Sequence, residues 1–396
     1  PIQVDVDPSD LPGDGSESNP YKISNVSELQ AMEDDLDANY VLVTDIGASN
    51  TSEFNDGSGF DPVGASPFVE DNNTAFAGSL DGNNNTITGL TIDRPNESRV
   101  GLIGFTDSEA TIRDITLTDV TITGNKTVGG VVGGHRGTLT DVTISGSVTG
   151  DRNVGGLVGD NSENITDSSA FGSVNGSEDV GGLVGRNSES ITGASAFGNV
   201  TGDTDVGGVV GQNSFDATIQ NASASGSVTG DTNVGGLVGS LNNDGSVESV
   251  TASGSVAGEK NVGGLVGVNG EFGTVAKVTS ATASGSVTGN FGVGGLVGSN
   301  SGNLTDSSAS GSVTGSDSAG GLVGENEDNR RRTDPPGAII RDATASGSVT
   351  GNQNVGGVVG ENNGGTITDA ETAGSVKGTG RNVGGVVGDN RDNGTI

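Results

Sequence analysis

Cysteine and tryptophan are absent from these 396 residues, histidine and methionine occur once each, and aromatics make up only 3%. Without cysteine there is no disulfide framework, which leaves the compartment open. So few rings exclude an aromatic core, and any core must be built from Val, Leu, Ile, Ala and Gly. Basic residues are scarce as well: 17 Lys and Arg against 51 Asp and Glu leave a net charge of −34. A nucleic-acid partner requires a basic patch, and the only basic cluster is Arg330-Arg331-Arg332. No hydrophobic run is long enough to cross a bilayer, and no signal-peptide pattern appears, so a membrane is expected only through an anchor outside this chain. The chain opens on Pro1, which suggests a trimmed N-terminus. Its acidity is spread along the whole length. That pattern reads as a solvated, self-repelling surface that stays soluble where high salt screens repulsion, and it points to a halophilic source.

What is abundant is glycine, 73 residues, in register with aliphatic ones. V-G-G-L/V-V-G recurs at Val128, Val154, Val180, Val206, Val234, Val262, Val293, Val355 and Val383, with Ala319 opening a further copy and Val100 a degenerate one. Self-similarity at 26 to 36 residues marks a repeat architecture. An aliphatic column (Leu139, Ile165, Ile191, Ile219, Val247, Val278, Leu304, Ile340, Ile367) always lies nine residues before a valine, and the next motif opens six or seven residues later. The remaining length variation falls in one connection, between the motif and this column. One edge is therefore free to vary while the rest is held in register.

Within Val154–Asp179 three strand-like runs are expected, Val154–Gly159, Ile165–Ala170 and Gly172–Val174. Ser168, Ala170, Gly172 and Val174 should face inward, and Ser169, Phe171 and Ser173 outward. The runs are too short and too glycine-rich for helices, and a propeller would need blades of about 40 to 50 residues. The expectation is an all-β parallel β-solenoid of about 10–11 coils, a rod on the order of 50 Å long.

V-G-G-L-V-G followed by N-x-x-x-I-T-D-S-S-A-x-G-S-V resembles the GLUG motif repeat of bacterial and archaeal cell-surface proteins, over roughly residues 100–396. The resemblance implies a right-handed β-helix-like fold, surface display or adhesion, an extracellular location and no catalytic residues. Three regions are expected: an acidic leader or linker over 1–20, an N-terminal cap with irregular first coils over 21–99, and the repeats over 100–396. Ser27-Glu-Leu-Gln30 fits a capping box for a short helix over Ser27–Asp37, followed by a strand over Tyr40–Ile46. Asp81-Gly-Asn reads as a turn. Ile396 falls on the aliphatic column of an incomplete coil, so either the chain continues or another copy covers this edge.

Chemistry is sparse. His135, in an early variable connection, reads as an exposed loop residue. Asp141, Asp167, Asp306, Asp342 and Asp369 share a column with Gly193, Asn221, Ser249 and Ser280, a turn-forming alternation rather than a catalytic pair. Asp-rich turns at Glu178, Asp179, Asp203, Asp205 and Asp231 could admit calcium, although the nonapeptide register of calcium-binding β-rolls is missing. No other cofactor is indicated. Phe215, Phe272 and Arg330, Arg331 and Arg332 lie in lengthened connections and form the candidate binding edge. N-x-S/T sequons at Asn25, Asn50, Asn72, Asn84, Asn96, Asn125, Asn164, Asn175, Asn199, Asn221, Asn303 and Asn393 are candidate glycosylation sites. The expected partners are further copies of the chain, end-to-end or lateral, or cell-surface glycans and proteins. A filament or virion-fibre subunit and a carbohydrate-active β-helix enzyme are the rival readings.

Overall fold

The computed structural model describes residues 6–64, 74–270, 276–328 and 338–396. Its local logic is set by what happens inside V-G-G-L-V-G. The motif is not one strand but two, joined by a corner at its central glycine. In one coil the strands are Glu178–Gly181, Val184–Asn187, Ile191–Thr192, Ser195–Ala196 and Val200–Thr201. The expected three strands become five because glycine and left-handed residues interrupt each run.

Each strand pairs in parallel with its equivalent in the coils before and after. Val180 lies between Val154 and Val206, Val184 between Val158 and Val210, and Ile191 between Ile165 and Ile219. Three sheets run along the axis. The first carries the opening V-G of the motif, the second V-G-x-N, and the third the short strands between them. The result is an all-β parallel β-solenoid of about eleven turns. Val180, Leu183, Val184, Ile191, Ala196 and Val200 fill the interior of their coil and are essentially fully buried. At roughly 1.5–3 kcal/mol for each large aliphatic side chain buried, stacked small coils build a continuous core that no single coil could supply. In the sampled stretch Ser168, Ala170 and Val174 are buried and Phe171 and Ser173 exposed, as alternation requires.

The Asp/Asn/Ser/Gly column is a backbone device. Asp141, Asp167, Asn221, Ser249, Ser280, Asp306, Asp342 and Asp369 all have φ between +47° and +56°. Short polar side chains tolerate this left-handed conformation, which bends the third sheet between its first two strands. A second such column immediately precedes each motif, at Asn153, Asp179, Asp205, Asn233, Asn261, Ser318, Asn354 and Asn382.

The second sheet ends in a buried amide ladder. Asn161, Asn187, Asn213, Asn269, Asn300, Asn326 and Asn362 show no solvent exposure. Asn161, Asn187, Asn300, Asn326 and Asn362 each donate from Nδ2 to the next coil's Oδ1, as in Asn300 to Asn326 at 2.7 Å, and to a carbonyl of their own connection, as in Asn300 to Gly302 at 3.2 Å. The ladder satisfies polar backbone just where connection length varies, which is how loops of different length leave the core undisturbed. Leu241 interrupts it, and Asn269 Oδ1 is left without a donor. Asn300→Ala strips Asn326 Oδ1 of its donor and removes the acceptor of Asn269 Nδ2. The expected cost is about 2–3 kcal/mol in urea denaturation. An unchanged midpoint would show that the ladder is dispensable.

At the N-terminal end Tyr21–Ile23 stacks on Asn39–Leu42, which stacks on Ser79–Asp81 and then on the strand Thr111–Thr123. The helix spans Val26–Gln30 and continues as a 3-10 turn over Ala31–Asp34. It starts earlier than Ser27-x-x-Gln30 suggests. Asn25 Oδ1 accepts from the backbone of Ser27 and Glu28, while Glu28 reaches back to Ser24 N at 2.6 Å. Asparagine with glutamate three residues on makes the stronger cap. The single strand expected over Tyr40–Ile46 divides into Asn39–Leu42 and Ile46–Gly47. The few large side chains concentrate here: Leu29, Met32, Tyr40, Phe54, Phe60 and Phe76 are all buried.

Candidate binding groove

Two outward-facing columns meet along the rod. One is the residue x of V-G-x-N on the second sheet: Gly134, Asp160, Arg186, Gln212, Ser240, Val268, Ser299, Glu325, Glu361 and Asp389. The other is the left-handed column before each motif on the first sheet. They touch across the corner: Asn354 donates to Glu361 at 2.9 Å, Asn382 to Asp389 at 3.1 Å, and Gln212 to Asp205 at 3.5 Å. The glycine corner folds the two sheets toward one another, and an axial groove lies between them. A cleft of about 470 Å³ occupies its middle, lined by Asn233, Asn261, Val268, Ser299 and Ser301 with Glu325 and Glu327.

Charge is graded along this groove. Arg99, Arg136 and Arg186 gather around Asp160 at one end. Amides, hydroxyls and Lys260 line the middle, where Glu325 and Glu327 enter, and Glu361 and Asp389 continue the column toward the other end. Burial pushes Asp160 above the ordinary carboxylate range, and the three arginines oppose that rise. Glu325 and Glu361 are raised chiefly by burial; Glu327 adds to the first, and Arg391 counteracts it for the second. Asp179 is raised to about 7 by burial, then by Asp205 and Glu178.

His135 does not lie in an exposed loop. It ends a strand of the second sheet, is 1% exposed, and stands in register with Asn161 as the head of the amide ladder. Its Nδ1 lies 3.2 Å from Thr106 Oγ1, and burial lowers its pKa to about 4, so it is a neutral imidazole at pH 7. The short spacing before Leu139 suggested a connection. The ring sits inside because V-G-G-H occupies the V-G-x-N register.

Of the candidate edge, Phe215 is 60% exposed in a left-handed turn (φ +58°), with the Arg186 guanidinium 5.8 Å from its ring centre. It therefore flanks the groove rather than standing alone. Phe272 and Arg330, Arg331 and Arg332 lie outside the described residues, as does Asn72. Most other sequons are exposed, whereas Asn125 and Asn303 are partly buried, and Asn25 is engaged as the helix cap. The proposed calcium turns serve the backbone: the Asp203 carbonyl accepts from Asp231 N and Thr232 N at 2.9 Å. Among the described residues no three His, Asp or Glu side chains converge on a metal position. A second aromatic feature had no sequence signal. Phe171 and Phe197, on adjacent coils of the third sheet, are exposed and stack with ring centres 4.7 Å apart.

The fold and repeat together define a class, a parallel β-solenoid carrying GLUG-motif repeats. The GLUG motif matches residues 176–201, 202–229, 230–257, 289–314 and 315–350. Two relatives sharpen this. Halomucin of Haloquadratum walsbyi is 41% identical over 141 residues, 34% of this chain and 2% of halomucin. A Gly-rich protein of Evansella cellulosilytica, which carries a membrane-protein name, is 32% identical over 137 residues, 33% of this chain and 15% of that protein. The chain thus spans only a small part of the length of these relatives. A Bacteroides ovatus structure, described as a candidate immunoglobulin A1 protease, covers 84% of this chain at 14% identity with a TM-score of 0.45. That likeness carries no argument about function.

Proposed function

We propose that this chain is a non-enzymatic structural element of an extracellular surface protein, a stiff β-solenoid stalk that presents its variable edge and groove for adhesive contacts. The observation that carries the reading is the parallel register the three sheets keep from coil to coil, broken among the described pairings only by a one-residue shift between Ile144 and Gly146, while the large length variation falls in one connection. A rod whose core is indifferent to loop length is suited to display. Halomucin and the membrane-named Gly-rich protein support a surface location. Shared repeats with a haloarchaeal protein and a charge of −34 support a high-salt setting. Exposed sequons such as Asn164, Asn175 and Asn199 are candidate glycan attachment points in that setting.

The test is a glycan and cell-surface binding array in high salt, run with the full chain and with residues 329–337 deleted, which leaves the strand Val323–Glu327 and the ladder residue Asn326 in place. Binding by the full chain that falls at least tenfold on deletion is expected. Equal binding by both would remove the variable edge from the adhesive role. X-ray scattering tests the stalk independently, with a rod of roughly 50 Å expected.

A further inference from the structure

The outer face of the third sheet carries two exposed rings in a column of small residues. Phe171 and Phe197 occupy one step of adjacent coils, with Ser145 before them and Ser225 and Ser253 after. Their planes are tilted by only 12° and their centres lie 4.7 Å apart, so they stack face to face; rings lying flat side by side could not come so close. Phe171 thus covers one face of Phe197, and the other looks along the axis over Ser225. Two residues on, Asn199 opens the sequon Asn199-Val200-Thr201. Val200 is buried, so alternation puts Asn199 and Thr201 on the outer face that Phe197 shares. Asn199 Oδ1 accepts from Ser227 N at 3.1 Å and from Ser227 Oγ at 2.7 Å. Those bonds lean the carboxamide toward the next coil, the side on which Phe197 is open, and they leave Nδ2 unused. Among the twelve sequons, that of Asn199 alone has an aromatic residue two positions before the asparagine; Asn175, one coil back, has Ser173 there.

We propose that Asn199 is the favoured N-glycosylation site of this chain and that Phe197 receives the first sugar on its open face. The covalent step transfers an oligosaccharide from a lipid-linked oligosaccharyl phosphate, the donor of a membrane-bound transferase. Asn199 Nδ2 attacks the sugar C1, and the N–C1 bond forms as the C1–O bond to phosphate breaks. The lipid phosphate leaves with the electron pair, and Nδ2 gives up one proton. The product amide keeps its carbonyl and one N–H, so both bonds from Ser227 survive. The attached ring starts within reach of Phe197, because residues two apart on a strand share a face at about 7 Å. The C–H face of a pyranose complements the negative face of an aromatic ring. Ser225, Ser227, Ser253 and Ser255 leave room for the sugar and offer it hydroxyls. Phe171 backs the Phe197 ring, which holds the platform in place. The inference deepens the surface reading and rests on its extracellular placement, where such transferases act.

The full chain is secreted from a halophilic host that has an N-glycosylating transferase, and the occupancy of each sequon is read by glycopeptide mass spectrometry. Asn199 should be the most fully occupied. Phe197→Ala should lower that occupancy about threefold or more, while Asn164, an exposed Asn-x-Thr sequon without an aromatic partner, stays as filled as in the parent. Phe197→Tyr, which keeps the ring, should retain the parent occupancy. A thermal cycle isolates the stacking. Thr201→Val abolishes the sequon and should lower the melting temperature of the parent but not of Phe197→Ala. An empty Asn199, whether or not other sequons are filled, overturns the proposal. So does a filled Asn199 whose occupancy and melting are both indifferent to Phe197→Ala. The two readings fail separately: array binding by a chain with Asn199 empty sinks only this inference, and a filled Asn199 without array binding sinks only the adhesive role.

Discussion

Gly236→Ala should split the rod. The second glycine of each motif turns the corner between the first two sheets, and a Cβ on Gly236 would overlap the Gly264 carbonyl of the next coil. That oxygen belongs to backbone held by the stacking bonds Leu237 N to Leu265 O and Gly236 N to Gly263 O, at 2.8 and 3.2 Å, so it cannot give way without opening the coil interface. Overpacking of this kind costs about 1–3 kcal/mol, and backbone that cannot give way puts this site at the upper end. In a repeat array the cost lands on one nearest-neighbour interface. The single unfolding transition of the parent should therefore divide into two in urea, with coils on either side of Gly236 melting separately. Gly385→Ala is the matched control. It occupies the same motif position, but nothing lies within 4 Å of its Cβ, so it should melt as the parent does. Equal behaviour of the two variants would show that glycine is retained for chain flexibility and not for coil contact.

Asp179→Asn should stabilise the protein at alkaline pH and remove part of its pH dependence. Asp179 occupies the left-handed column where Asn153, Asn233, Asn261 and Asn354 stand elsewhere, and it is 6% exposed with Oδ1 unpartnered. Amides in this column bond along the axis, Asn233 to Asp205 at 2.8 Å and Asn261 to Asn233 at 2.9 Å. A carboxylate facing Asp205 cannot join that chain without a proton. Burial, then Asp205 and Glu178, raise its pKa from 3.8 to about 7. The folded protein thus holds a proton that the unfolded chain releases above pH 4, so stability falls as pH rises from about 4 to 7 and the full penalty persists above 7. That penalty is on the order of 4 kcal/mol at most. The difference in unfolding free energy between Asp179→Asn and the parent should be small at pH 4 and grow to its plateau above pH 7. A flat difference across that range would place the Asp179 proton elsewhere.

The resemblance to GLUG repeats and the expectation of a parallel solenoid were legible because each coil stacks on a near-copy of itself. Identical spacing then becomes identical register, and columns in the sequence are columns in space, as Ile165, Ile191 and Ile219 show. The same logic made the Asp141 and Asp167 column readable as turns. Strand counting went wrong inside V-G-G-L-V-G because period-two alternation cannot register a corner made by residues without side chains. His135 was misplaced because the length of a connection does not reveal where the strand before it ends.

The sequence by itself determined the axis of this protein: the coil, its stacking, the inward aliphatic columns and the single edge allowed to vary. Only the tertiary structure decided what the rod presents to solvent. Arg99, Arg136 and Arg186 are separated by 37 and 50 residues along the chain, and no motif links them. They approach one another because a solenoid stacks successive coils about 5 Å apart, and because the glycine corner turns two outward columns toward each other. Repetition writes the core into the sequence in plain view. The groove depends on the departures from repetition, which acquire meaning only once the coils are stacked.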